Sequence, residues 1–439
     1  MGVILLKQIT ALITIFILAG LGSLTAESLT LDAALDTALK NNADLKKSEL
    51  TAYQALREKK NAWNQFLPSI SANLGVTNTH PIQPAGDLTD SWSAGASINL
   101  PLSASMTANT KLLGYKALAA EEAYDNTRRT LITQVSTNFY SILAENLNVE
   151  ILRSDLEIKK QQYELASKNF KNGLASELEM LNSQYAYQIA GPALNDAVVK
   201  YEQNRSAFLL LIGLEASAAV ELEGVINVKM LDLPPVENLV SRYCNNRYDV
   251  YAQVIALEQA KLNAQAGSLS RAPSISFGES VNLGSPQTGF LDDPISTGRF
   301  SISVTIPLSS WIPGSSQSLN AKTLKENAAQ TGVSLDTVRK NAAQDIHKKV
   351  DEIERIRENL ESAALNLRIA SRAYELSEQG YRGGLVSQTD LQNANKNMVN
   401  AKQTLLTTNA GYLTAVYNLA AALRLDIAEV YELYAQENK

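Results

Sequence analysis

Two hydrophobic spacings divide the chain. Ile70, Ala72, Leu74 and Val76 alternate with Ser69, Ser71, Asn73, Gly75 and Thr77. After a polar loop rich in Pro, Thr and Asp, Trp92, Ala94, Ala96, Ile98 and Leu100 alternate with Ser91, Ser93, Gly95, Ser97 and Asn99. The pattern returns as Ile275, Phe277, Val281 and Leu283 against Ser274, Ser276, Gly278, Ser280 and Asn282, then as Phe300, Ile302, Val304 and Ile306 against Ser301, Ser303 and Thr305. A period of two marks a strand with one apolar face, so strands are predicted near 67–77, 91–102, 273–283 and 299–308. Elsewhere the step is three or four. Leu335, Val338, Ala342, Ile346, Val350, Ile353, Ile356, Leu360, Ala364 and Leu367 follow it throughout, and Leu131, Val135, Phe139, Ile142 and Leu147 follow it more loosely. That is coiled-coil periodicity, and a helix of some 60 residues is about 90 Å long. Each long helix meets a glycine-containing turn, NGLAS at Asn172 and RGGLVS at Arg382, and returns, giving helical hairpins over 103–214 and 317–425. Shorter helices, Leu31 to Asn64 and Val236 to Ala266, precede the strands.

The landmarks occur twice in the same order. FLPSISANLG from Phe66 returns as RAPSISFGES from Arg271, INLPLS around Pro101 returns as VTIPLS around Pro307, and Gly173 has its counterpart in Gly384. NNADL at Asn41 answers NNRYDV at Asn245. A constant offset across several matches identifies an internal duplication. The organisation expected is a leader over 1–26, a first repeat over 27–220, a linker over 215–235, a second repeat over 236–425 and a tail over 426–439.

The polar face of the strands decides their environment. It is nearly all Ser, Gly, Asn and Thr, where a soluble sheet would carry many long charged side chains. Segments of about ten residues, apolar on one side and small and polar on the other, are the signature of a transmembrane barrel. Glu279 is the exception, on the apolar side. Four strands cannot close a barrel, because closed barrels start near eight, and unpaired backbone edges are not tolerated in hydrocarbon. The barrel must be shared between protomers. The fold class is thus mainly α with a small β part: long antiparallel helical hairpins plus four transmembrane strands per protomer contributing to a shared barrel.

Composition narrows the function. The chain has 439 residues, 45% of them hydrophobic and 19% charged, and a net charge of −6, so nucleic acid is not an expected partner. Cys244 is the single cysteine, which excludes an intramolecular disulfide and is best read as a small buried residue. Lys7 followed by the apolar run Ala11–Leu21 reads as a secretory leader, with cleavage expected after Ala26. His80 and His347 are too few for a metal or catalytic centre, and the sequence has no nucleophile elbow, phosphate-binding glycine loop or paired cysteines. No enzyme, cofactor or metal site is expected. A periplasmic coiled-coil adaptor or scaffold is the alternative that shares the hairpins. It should lack the lipid-facing strands.

The LDAALDTALKNNADL opening, the strand-flanking prolines Pro68, Pro101, Pro273 and Pro307, and the two turns together resemble the outer membrane efflux protein (TolC) family. In the second turn Tyr381, Gly384, Leu385, Asp390, Leu391 and Ala394 match the family pattern, and in the first Gly173, Leu174, Glu179 and Asn182 take the equivalent places. The resemblance implies a homotrimer with one twelve-stranded barrel in outer membrane lipid. Its helical tunnel in the periplasm is engaged by an adaptor (membrane fusion protein) and an inner-membrane pump for efflux or type I secretion. It also implies a polar constriction at the periplasmic mouth containing Asp390. Asn393 stands where the family often has a second acid, and Val386 where a basic residue sometimes ties the tip shut. Glu179 and Tyr381 are candidates for holding the closed state. Gly173, Leu174, Ala175, Gly384, Leu385 and Val386 are candidates for adaptor docking, because exposed apolar tips usually meet a partner. A simpler reading of Asp390 and Glu179 is that they favour a helix N-terminus.

Overall fold

The computed structural model describes residues 27–79, 89–285 and 295–437; the leader and His80 lie outside them. The first elements are β1 (Glu27–Leu29), α1 (Leu31–Asn41), α2 (Ala43–Lys60), β2 (Ser69–Thr79), β3 (Thr89–Leu102), α3 (Ser105–Lys171) and α4 (Glu177–Leu211). They are followed by β4 (Val220–Leu222), α5 (Val236–Tyr243), α6 (Tyr248–Leu269), β5 (Ser274–Gly284), β6 (Ile295–Thr305), α7 (Ser316–Arg382), α8 (Gln388–Leu423) and α9 (Ile427–Glu437). Two compact units result. One takes in Met1–Ala43, Arg128–Pro234 and Lys348–Lys439, the other Asp44–Thr127 and Pro235–His347, and α3 and α7 contribute to both.

The second unit holds a four-stranded antiparallel sheet in the order β2-β3-β5-β6. Its register puts Ile70 opposite Ile98, Leu74 opposite Ala94, Ala96 opposite Val281, and Phe277 opposite both Leu100 and Ile302. All these side chains share one face, and the bulkiest of them, such as Leu74 and Phe300, are exposed. The other face is closed by hydroxyl pairs, Ser71 with Ser97 at 2.8 Å and Ser276 with Ser303 at 2.6 Å. Gly95 makes room on that face for Asn73 and Asn282, whose Oδ1 atoms would each lie 2.6 Å from a Cβ placed there. Glu279 falls on the apolar face between Ile98 and Phe300, and nothing in the structure explains it.

The helices before the strands are broken where continuous ones were expected. Asn42 adopts φ −59°, ψ 127° between α1 and α2, and its Nδ2 donates to the Leu211 carbonyl at 2.9 Å. Arg247 is extended ahead of α6 because its guanidinium is held by Asp249 at 2.9 Å and Asp345 at 2.7 Å. The linker contains β4, which pairs in parallel with β1, and Arg205 fastens it by donating to the Ala218 and Val220 carbonyls. The C-terminal segment is helical as α9. Cys244 is buried, and that burial is the main force pushing its thiol up.

In the first unit an apolar core forms around Phe139, Phe208, Leu209, Ile212, Leu419 and Leu423. The fully buried Tyr412 is satisfied there by accepting the Leu231 N–H at 2.7 Å. Below α4 the chain reverses through Gly213 at φ +81°, with Leu214 N–H donating to Leu209 at 2.8 Å. A Cβ at Gly213 would lie 2.6 Å from Asn41 Cβ and 2.9 Å from the Asn41 carbonyl carbon. Gly213→Ala is therefore expected to lose about 1–3 kcal/mol from the left-handed backbone and more from displacing α1. Gly314→Ala has a similar φ of +85° but open space around it, and should lose only the backbone part. Thermal melts of the purified protein test this; equal shifts would mean that the contact with Asn41 yields freely.

Candidate functional site

The two hairpin turns are built alike. Asn172 and Gly383 close the last helical turns, and Gly173 and Gly384 follow at φ +73° and +74°, where glycine alone is unstrained. Leu174 N–H donates to Asn169 and Leu385 N–H to Gly380, both at 2.8 Å, which is the bonding of a Schellman cap. Ser176 and Ser387 then open the return helices by accepting the N–H of Glu179 and Asp390, each at 3.2 Å. These bonds satisfy donors that a helix start leaves free. At the tips Leu174 is 77% and Leu385 88% exposed, while Ala175 and Val386 are partly covered.

One pair of the anticipated residues meets across the two hairpins. The Tyr381 hydroxyl donates to Glu179 Oε1 at 3.1 Å. Partial burial, and then the Glu179 carboxylate that accepts this bond, push the Tyr381 phenol up to about 12. The protonated phenol therefore contributes fully below pH 10, its ordinary value, and its contribution is lost as pH rises towards 12. Asp390 does not join this pair. Its Oδ2 accepts from Ser387 Oγ at 2.7 Å, which accounts for a helix-start role. Asp390 and Asn393 nevertheless lie one turn apart on the exposed side of α8, with Asn397 beyond them.

Behind that exposed side lies a feature the sequence reading missed. The buried seam of α8 runs Gln388, Leu391, Asn395, Met398, an alternation of three and four in which every seventh residue is an amide. The facing positions of α3 include Asp155 and Gln162, also seven apart and also buried. Asn395, only 1% exposed, donates through Nδ2 to Asp155 Oδ1 at 2.7 Å, and Lys159 holds the other Asp155 oxygen at 2.7 Å. Asn148, seven residues before Asp155, accepts from Gln403, eight residues beyond Asn395, at 2.8 Å. In the other direction Gln388 donates to Ser183 at 3.0 Å. The side-chain oxygens of Gln162, Gln388 and Asn395 find no protein partner among the described residues. Polar layers at heptad spacing fix register at a cost in stability. An amide at every seventh residue of 388–395 was the signal available in the sequence.

Among the described residues no group of three or more His, Cys, Asp or Glu could hold a metal, and no helix is long and apolar enough to cross a membrane. The model of the family "Outer membrane efflux protein" matches residues 34–214 and 239–423. The probable efflux pump outer membrane protein TtgC of Pseudomonas putida is 24% identical over 421 residues, which cover 90% of this chain and 82% of that protein. The Campylobacter jejuni CmeC outer membrane channel superposes with a TM-score of 0.77 at 19% identity, over 93% of this chain and 88% of its own. The open state of the Neisseria gonorrhoeae MtrE outer membrane channel gives 0.73 at 18%, over 90% and 89%.

The polar layer generates a pair of opposite expectations. Asn395→Ala removes a hydrogen bond to a buried charge and should cost about 1.5–3 kcal/mol. Replacing both Asn395 and Asp155 by Leu removes the buried polar group altogether and should raise the melting temperature above wild type. Melts of the two variants side by side check this. A double variant less stable than the single would show that the layer is net stabilising.

Proposed function

The chain belongs to the outer membrane efflux protein family, and from that premise we propose that three copies close one shared barrel and act as a passive exit duct. The observation that carries this reading is the sheet itself: one face apolar but for Glu279, one serine-lined face, and two edge strands, β2 and β6, whose outer sides pair with nothing among the described residues. Three sheets of four strands make twelve, within the range of closed membrane barrels. The helical part lies in the periplasm and receives cargo from an inner-membrane pump through an adaptor. The exposed Leu174 and Leu385 at the two turns are the apolar surface offered to that adaptor. Cargo choice falls to the pump, since the lumen face of the strands, Arg299 apart, is made of small neutral residues.

At the inner mouth we place the constriction on Asp390 and Asn393, with Tyr381 and Glu179 tying neighbouring hairpins together in the resting state. The exposed polar side of α8 and the 3.1 Å bond between the hairpins support this assignment. Three copies of Asp390 brought together would attract cations and repel anions.

Two measurements test the proposal. Arg at Ala94 or Ile302 should impair trimer assembly in the outer membrane, because a lipid-facing Arg costs about 2–4 kcal/mol at the midplane. Arg at Ser93 or Ser303 should be milder. Equal tolerance at all four positions, or a monodisperse monomer without detergent, would overturn the barrel. For the gate, Tyr381→Phe should raise resting conductance in planar bilayers at any pH below 10. Asp390→Asn should lower cation selectivity and leave trimer yield unchanged. Unchanged selectivity together with a lowered melting temperature would assign Asp390 to helix capping alone.

A further inference from the structure

We propose that Arg299 sets the ion preference of the outer half of the barrel lumen, favouring anionic solutes at the exit. The inference rests on the duct reading and adds a selectivity residue on the barrel strands. The strand register places Arg299 opposite Ser280, Ser280 opposite Ser97, and Ser97 opposite Ser71. Arg299 therefore ends a row of three serines on the small-polar face, away from the apolar one. The rows on either side, Asn73-Gly95-Asn282-Thr297 and Ser69-Asn99-Gly278-Ser301, are neutral. Glu279, one position from Ser280, points to the opposite face and cannot compensate it there.

Closing the barrel does not supply a counter-charge from the adjoining strand either. Arg299 stands on an edge strand, so its next neighbour is the edge strand β2 of a second copy. That strand reads SISANLGVTNT and contains no acid, so the guanidinium meets only neutral side chains in any register. Arg299 is exposed. It is the fifth of the eleven residues of β6, counted from the end that joins the 286–294 connection, while the other end leads into α7. Since the helices occupy the periplasm, Arg299 lies nearer the exterior. Among the described residues the neighbouring rows of this face are neutral, so three such groups raise the local concentration of anions and oppose cations, and lumen substitutions are the ones that tune barrel selectivity.

The test uses purified trimers in planar bilayers, in wild type and in a Tyr381→Phe background that keeps the resting tip from dominating the resistance. Reversal potentials are read across a KCl gradient at low ionic strength. Arg299→Gln should raise the cation-over-anion permeability ratio roughly twofold, the scale of removing unit charges near an aqueous ion path, whereas Arg299→Lys should keep the wild-type ratio. Tripolyphosphate added on the loop side should reduce current in wild type and Arg299→Lys, and less in Arg299→Gln. Should Arg299→Gln fail to assemble, Arg299→Ser, which continues the serine row, carries the same comparison. A glutamine or serine variant with wild-type selectivity and wild-type tripolyphosphate block overturns the inference while the duct stands. Assembled Tyr381→Phe trimers that conduct nothing overturn the duct reading, and this inference with it.

Discussion

Hydrocarbon offers no hydrogen bonds, so every backbone N–H and C=O placed in it must find a partner within protein. In one copy of this chain the sheet satisfies its two inner strands and leaves the outer sides of β2 and β6 open. Much of the molecule answers that constraint. The alternation along the strands keeps lipid-compatible side chains on one side, and the small residues of the other side leave space for a lumen rather than filling it. The same constraint makes assembly a condition of folding in the membrane rather than an event after it.

The strands were legible because their pattern is purely local: Ile70 to Val76 and Phe300 to Val304 announce both period and face without reference to anything else. The paired turns were legible for a similar reason, since glycine is the residue that adopts the left-handed backbone of Gly173 and Gly384 without strain. Tyr381 and Glu179 were candidates for a contact at the turns, and their side chains meet there. What escaped depends on contacts distant in sequence. The three-residue β1 pairs with β4 nearly two hundred positions later and carries no periodicity of its own. Asn42 and Arg247 interrupt helices because of partners at Leu211 and Asp345 that no local pattern reveals. Asn395 reads as an ordinary polar residue until Asp155 is found facing it.

The helical unit is uneven in how it is held. Around Phe139, Phe208 and Leu419 the core is apolar, and the buried Tyr412 hydroxyl is satisfied by the Leu231 N–H. Towards the turns the interior becomes a ladder of amides and one carboxylate, several of whose oxygens go without a protein partner. Apolar burial is indifferent to small slippage, whereas polar layers tolerate only registers that pair them. The body is therefore strongly held and loosely specified, and the tip is the reverse.

The long helices α3 and α7 each contain 67 residues, and each ends in the same glycine cap. The bond from Tyr381 to Glu179 is possible only because the two turns come level. Seven residues added to each arm of one hairpin alone would carry its turn about 10 Å past the other and also misalign the ladder of amides. Length in this duplicated chain is consequently a shared trait. Insertions or deletions in one arm can persist through evolution only when matched in the other, so the two halves, free to diverge in nearly every side chain, must still grow or shrink together.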